Sequence, residues 1–204
     1  SGDVGSGKTE LAETIGDMVA RQEGIDITLL PLSLSSRGQG RVGEMTQLVS
    51  AAFDHAFHEA SKVKSSKGSR ARGGVILLVD EADALAQSRE ADQMHHEDRA
   101  GVNAFIRGID RLANGHLPAA VLMCTNRLNA LDPAVRRRAA DILVFERPDE
   151  AQRLEVLHRR LGDAGFGKAD LQSLVAATGE QAKRPYGFTY SDLTQRLLPA
   201  IVLD

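Results

Sequence analysis

The chain has 204 residues, 42% of them hydrophobic, which is enough to build the core of one domain or of a large domain with a small lid. A net charge of -3 and a pI of about 6.1 supply no global attraction to nucleic acid or to an anionic membrane surface. A single cysteine excludes an internal disulfide and fits a reducing, cytosolic setting, aromatic content of 4% without Trp argues against a base-stacking platform, and no apolar run approaches a bilayer span.

Residues 8–23 read as a helix, with Leu11, Ile15, Met18 and Val19 at helical spacing. Ile27 to Leu34 is a short apolar run bounded by polar residues and reads as a buried strand. A second helix carries Met45, Leu48, Val49, Ala52, Phe53, Ala56 and Phe57 on one stripe. Lys62 to Arg72 is rich in Lys, Ser, Gly and Arg and reads as a loop. Val75 to Val79 is a continuous β-branched and Leu run, expected to be a strand buried on both faces. Val102, Phe105, Ile106, Ile109 and Leu112 mark another helix, and Ala120 to Cys124 and Ile142 to Phe145 read as two further strands. After Pro148 only helical spacing remains, with Leu154, Leu157 and Leu161, then Leu171, Leu174 and Val175, then Leu193, Leu197 and Ile201. The alternation of strand and helix predicts an α/β domain with a parallel sheet flanked by helices over residues 1–147, and residues 148–204 a small all-helical lid.

Gly2-Asp3-Val4-Gly5-Ser6-Gly7-Lys8-Thr9 fits the phosphate-loop pattern G-x-x-x-x-G-K-[ST]. Glycines let backbone N–H groups curl around phosphates, and the following helix aims its positive dipole end at the same anion. Asp3, Val4, Gly5, Ser6, Gly7, Lys8, Thr9 and Glu10 are therefore the candidate nucleotide contacts, Lys8 as a charge on the β- and γ-phosphates and Thr9 as a magnesium ligand. Such a loop normally follows a strand. No strand precedes this one, so the first strand of the sheet is expected to lie in a longer protein from which the chain is cut.

The run from Val75 ends in Asp80 and Glu81. Two carboxylates past a buried strand are costly without a task or solvent. Asp80 is the candidate for holding magnesium and Glu81 for polarising the attacking water. Thr125-Asn126 follows the next strand and places an amide side chain, Asn126, where it could orient that water. By composition alone this pair is turn chemistry. Asp132 can cap a short helix with Pro133 at its first position, and Arg136, Arg137 and Arg138 end that helix. A basic helix end also complements the helix dipole, so the triplet alone does not decide.

These motifs, in this order, resemble the AAA+ ATPases over nearly the whole chain. The resemblance implies ATP hydrolysis with Mg2+, Asn126 as sensor 1, Arg137 and Arg138 as fingers reaching a neighbouring subunit, and a ring oligomer, a hexamer. Gly187-Phe188-Thr189-Tyr190-Ser191-Asp192-Leu193 is similar to a lid motif of the meiotic and protein-remodelling branch. Asp80-Glu81-Ala82-Asp83-Ala84-Leu85-Ala86, Val102 to Asp110, and Arg138-Ala139-Ala140-Asp141-Ile142 resemble the pachytene checkpoint remodellers. That resemblance implies a HORMA-domain protein partner and, for bacterial relatives, a place in CBASS anti-phage operons.

Two departures stand out. The stretch Arg37 to Val42, before Gly43-Glu44, lacks the aromatic of a threading pore loop, and Ser191 stands near where many remodellers carry the sensor 2 arginine. An AAA+ machine acting on DNA is the alternative, favoured by the basic loop, and a non-catalytic nucleotide switch is the third reading. His95-His96 reads as a surface loop and Cys124 as core.

Overall fold

The computed structural model describes residues 1–34, 43–65, 71–85 and 96–203. Arg37 to Val42, part of the basic loop (Lys67 and Arg70) and His95 lie outside the described residues. The chain divides into two compact units, one of Ser1 and Thr9–Leu143, the other of Gly2–Lys8 and Val144–Asp204.

The first unit is built on a three-stranded parallel sheet in the order β1-β2-β3. Helix α1 (Lys8–Glu23) leads to β1 (Asp26–Ser33), α2 (Glu44–Val63) to β2 (Gly73–Asp80), and α3 (His96–Asn114) to β3 (Ala119–Met123). Register places Ser33 opposite Asp80 and Val79 opposite Met123, so the carboxyl ends of the three strands share one edge. β2 is central and its run from Val75 to Val79 is buried on both faces, as its unbroken apolar sequence requires. Val75, Leu77 and Val79 join the core formed with α2 and α3, including Val49, Phe53, Val102 and Phe105. On the opposite face Leu78 packs with Ala12 of α1 and with Cys124, a buried thiol. α2 and α3 cross closely because Gly108 has no side chain. A Cβ there would stand 2.3 Å from Phe53 Cγ, and Phe53 is locked edge-on against Phe105 at 5.3 Å.

Sequence expectations are corrected at Met18, at Leu48 of α2, which is 39% exposed, and at residues 142–145. Met18 is 62% exposed, because α1 turns the small residues Ala12 and Gly16 to the sheet; Leu11, Ile15 and Val19 are half-buried beside them. Ile142 to Phe145 is not a strand. Ile142, Leu143 and Val144 are exposed, and among the described residues the segment forms a single parallel bridge, between Phe145 and Gly2. Without a continuous neighbouring strand its N–H and C=O groups have no ladder to join.

The second unit holds the lid helices α5 (Glu150–Leu161), α6 (Lys168–Thr178) and α7 (Leu198–Leu203), around Leu157, Leu161, Leu171, Val175, Leu193 and Leu198. Asp149 caps α5 reciprocally with Gln152. The first and third stripes are shifted from expectation. Leu154 is 38% exposed, and Leu198 is buried in the core while Leu197, half-buried, packs against it. A wide turn over Asp192–Leu197 accounts for the second shift, since the Leu198 N–H bonds the Leu193 carbonyl five residues back. Pro199 lacks an N–H and crowds the carbonyl four residues earlier, which favours that widening. No helix among the described residues is long and apolar enough to cross a membrane.

Candidate nucleotide site

In the first unit the carboxyl edge of the sheet gathers the candidate acids. The Thr9 hydroxyl at the start of α1 donates to Asp80 Oδ2 at 3.2 Å, joining residues 71 positions apart. A hydroxyl and a carboxylate held this way are the donor set of a hard divalent cation. Asp80 Oδ1 accepts the Glu81 N–H at 2.8 Å. Glu81 takes a left-handed backbone conformation, φ 51°, rare for a residue with a side chain. The kink ends β2 and brings the exposed Glu81 carboxylate to the tip of β1, where the Ser33 hydroxyl donates to Oε2 at 3.3 Å.

Asn126 is exposed at the tip of β3, and Asp83 holds its segment. Asp83 Oδ1 accepts from the Thr125 hydroxyl at 2.6 Å, and Oδ2 accepts the Asn126 N–H at 3.3 Å. Thr125 is buried, and its Oγ1 also accepts the Arg127 N–H at 3.0 Å. Sequence reasoning missed Asp83 and Ser33; the only signal for Asp83 was its place two residues beyond Glu81.

Asp132 caps the short helix α4 (Pro133–Arg136), accepting the Ala134 N–H at 2.6 Å, with Pro133 at the first position as expected. The arginines that follow differ in surroundings. Arg138 makes a forked pair with Asp110 of α3, Nε to Oδ1 at 2.8 Å and Nη2 to Oδ2 at 2.9 Å, and donates to the Ala134 carbonyl. This pairing holds the Asp110 carboxyl below the usual range and raises Arg138. Arg136 reaches Asn129 at 3.4 Å. Arg137 is exposed, and its side chain makes no hydrogen bond or ion pair with the described residues.

In the second unit the loop Gly2–Lys8 is packed on the lid segment. Gly5 has φ +74°, and a Cβ there would stand 2.8 Å from Ser191 Cβ and from Thr189 Oγ1. The Ser191 N–H donates to the Gly5 carbonyl at 3.1 Å. Beside Gly7 no atom stands within 4 Å of where a Cβ would be. Lys8 Nζ donates to the Gly2 carbonyl at 2.9 Å and the Asp3 carbonyl at 2.6 Å, with the buried Ser6 hydroxyl at 3.4 Å. Val4 and Glu10 are exposed. Backbone carbonyls and a hydroxyl thus hold the ammonium in the loop, and the opening helix α1 leaves its first N–H groups without intrahelical acceptors. These residues fit an anionic nucleotide.

A phosphate loop running into a helix, with a sheet whose central strand ends in Asp-Glu, defines a P-loop nucleotide-binding protein. The model of the ATPase family associated with various cellular activities (AAA) matches residues 1–147. The chain belongs to that family. It is 68% identical over 203 residues to CD-NTase-associated protein 6 of Escherichia coli strain MS 115-1, covering 100% of this chain and 65% of that protein. Among solved structures it is similar to the E. coli MS115-1 HORMA:CdnC:Trip13 complex, with a TM-score of 0.88 and 68% identity, covering 99% of this chain and 65% of the matched one. It is also similar to Rhizobiales Trip13, with a TM-score of 0.73 and 58% identity over 100% of this chain and 64% of that one. The chain therefore spans a little under two thirds of the length of these relatives.

Proposed function

We propose that the chain is the ATP-hydrolysing core of a ring-forming AAA+ motor, a cytoplasmic hexamer, that remodels a HORMA-domain protein in a bacterial CBASS setting. In this reading residues 1–147 are the nucleotide-binding part and 148–204 the lid. The Thr9–Asp80 contact carries the ATPase half of the reading, because it brings the two metal-ligand candidates within hydrogen-bond reach across 71 positions. The partner half rests on the 68% identity to CD-NTase-associated protein 6 and on the likeness to the HORMA:CdnC:Trip13 complex.

When bound, Mg2+ supplies charge neutralisation for the phosphates, held by Thr9 and Asp80. The backbone N–H groups of the loop from Asp3 to Lys8 orient the phosphates. Lys8 exchanges the Gly2 and Asp3 carbonyls for phosphate oxygens. Glu81 accepts the proton of the attacking water, and Asn126 orients that water from the tip of β3. Arg137 and Arg138 serve the neighbouring subunit. Arg138 is engaged with Asp110 of its own chain, so Arg137 is the one that delivers its charge to the transferred phosphoryl group.

The test is Glu81→Gln in the complete protein, loaded with ATP and purified from its host. Retained ATP, abolished turnover and co-purification of a HORMA-domain protein are expected. Turnover at the wild-type rate would remove Glu81 from the mechanism. Recovery of DNA without a protein partner would overturn the remodelling reading in favour of a machine acting on DNA.

A further inference from the structure

An acid inside a phosphate loop is electrostatically misplaced, since its charge opposes the triphosphate the loop must hold. Asp3 is such an acid, the second residue of the motif. Its carboxylate is not left unpaired. Arg147 donates to Asp3 Oδ2 from Nε at 2.8 Å and from Nη2 at 2.5 Å, while Oδ1 accepts the Val4 N–H at 2.9 Å. The third arm of the same guanidinium, Nη1, donates to the Gly187 carbonyl at 2.7 Å. Its Cζ lies 5.1 Å from the centroid of the Tyr186 ring. Residues 144 positions apart are thereby fastened at one point, and the Gly5–Ser191 hydrogen bond lies on the same segment.

We infer that Arg147 is a positioning residue for nucleotide binding: it neutralises Asp3 and ties the phosphate loop to the lid backbone at Gly187. The inference rests on the ATP-binding reading above and adds to it a residue that no loop motif contains. Arg147 never needs to touch the nucleotide. It acts through Asp3, whose carboxyl the Arg147 hydrogen bond holds below the usual range. A lysine cannot replace it, because a single ammonium lacks the planar fork that serves a carboxylate and a carbonyl together. The lid carries Ser191 near the position where the family resemblance implies an arginine, and Arg147 gives the lid a link to the loop that does not depend on one.

The experiment measures the affinity of a fluorescent ATP analogue for the complete protein, with Lys8→Ala as the reference for lost binding. Arg147→Ala exposes the Asp3 carboxylate to the phosphates and should weaken binding about tenfold, the loss of one charge-assisted interaction. Adding Asp3→Asn to that variant should restore most of the affinity. A purely structural role would give no such rescue. Arg147→Lys should fall between. Arg147→Ala at wild-type affinity, or a double variant as weak as Arg147→Ala alone, overturns the inference. If Arg147→Ala does not fold, Arg147→Lys decides: affinity below wild type, recovered on adding Asp3→Asn, is expected, and wild-type affinity overturns it. A wild-type protein that binds no nucleotide sinks the ATPase reading and this inference together. Wild-type binding with an indifferent Arg147 sinks this inference alone.

Discussion

Asp83 and Thr125 offer the sharpest test of how the site in the first unit is held. The Thr125 hydroxyl is buried and reaches an ionised acceptor at 2.6 Å, so the bond is short and charge-assisted. Asp83→Ala removes the acceptor and leaves the hydroxyl without a partner for its proton, an expected loss of about 2 kcal/mol. Thr125→Val keeps the shape but removes the donor and the acceptor of the Arg127 N–H, with an expected loss of about 1.5 kcal/mol. In the double variant the shared bond is counted once, so its loss should fall short of the sum by about 1.5 kcal/mol. Urea unfolding of the four proteins measures this directly. Losses that add to within about 0.5 kcal/mol would refute the coupling. The bond also fixes the segment that presents Asn126, so each single variant should lower kcat while leaving KM for ATP near wild type. A rise in KM with unchanged kcat would place Asp83 in binding instead.

Gly108→Ala should destabilise the first unit by about 1–3 kcal/mol, because the new Cβ collides with the Phe53 ring, which Phe105 prevents from retreating. Phe53→Leu in the same chain should recover part of that loss, as read by thermal unfolding. Asp192 accepts the Thr189 N–H at 3.0 Å and the Thr189 hydroxyl at 2.9 Å, and the Thr189 N–H chiefly holds its carboxyl below the ordinary value of 3.8, with Arg196 and Arg147 adding to the effect. A carboxyl lowered on folding stabilises above its unfolded value and loses that contribution as pH falls through the folded one. The stability gap between wild type and Asp192→Asn should therefore be constant from neutral pH to just above 3.8 and close below it. A gap that closes near neutral pH would place the effect on another group.

The elements were legible because each records its surroundings in a local period. The unbroken run from Val75 to Val79 announced a strand with neighbours on both sides, and Asp132-Pro133 announced a helix start. Met18 misled because helical spacing marks a face without saying how wide it is, and α1 seats Ala12 and Gly16 instead. Ile142 to Phe145 misled because β-branched composition states a preference for a ladder, which only a partner strand can supply. Leu198 joined Leu197 at the core because one proline reset the helical period by a residue.

The site divides along the same line. Lys8, Thr9, Asp80 and Glu81 lie in short contiguous motifs because phosphate and magnesium need backbone and ligands at fixed spacing. The residues that hold those groups have no such constraint. Asp83 serves Thr125 across 42 positions, Arg138 serves Asp110 across 28, and Arg147 serves Asp3 across 144. A supporting side chain needs only the right charge at the right place in the fold, and many sequences satisfy that from different positions. Asp3 makes the point sharply. Read within its motif it is one backbone contact among several; read by its charge it is a liability that some cation must answer, and the fold supplies one from the residue just before the lid. A misplaced charge inside a binding motif is thus a sequence-level signal for a distant partner, even when the partner itself bears no mark.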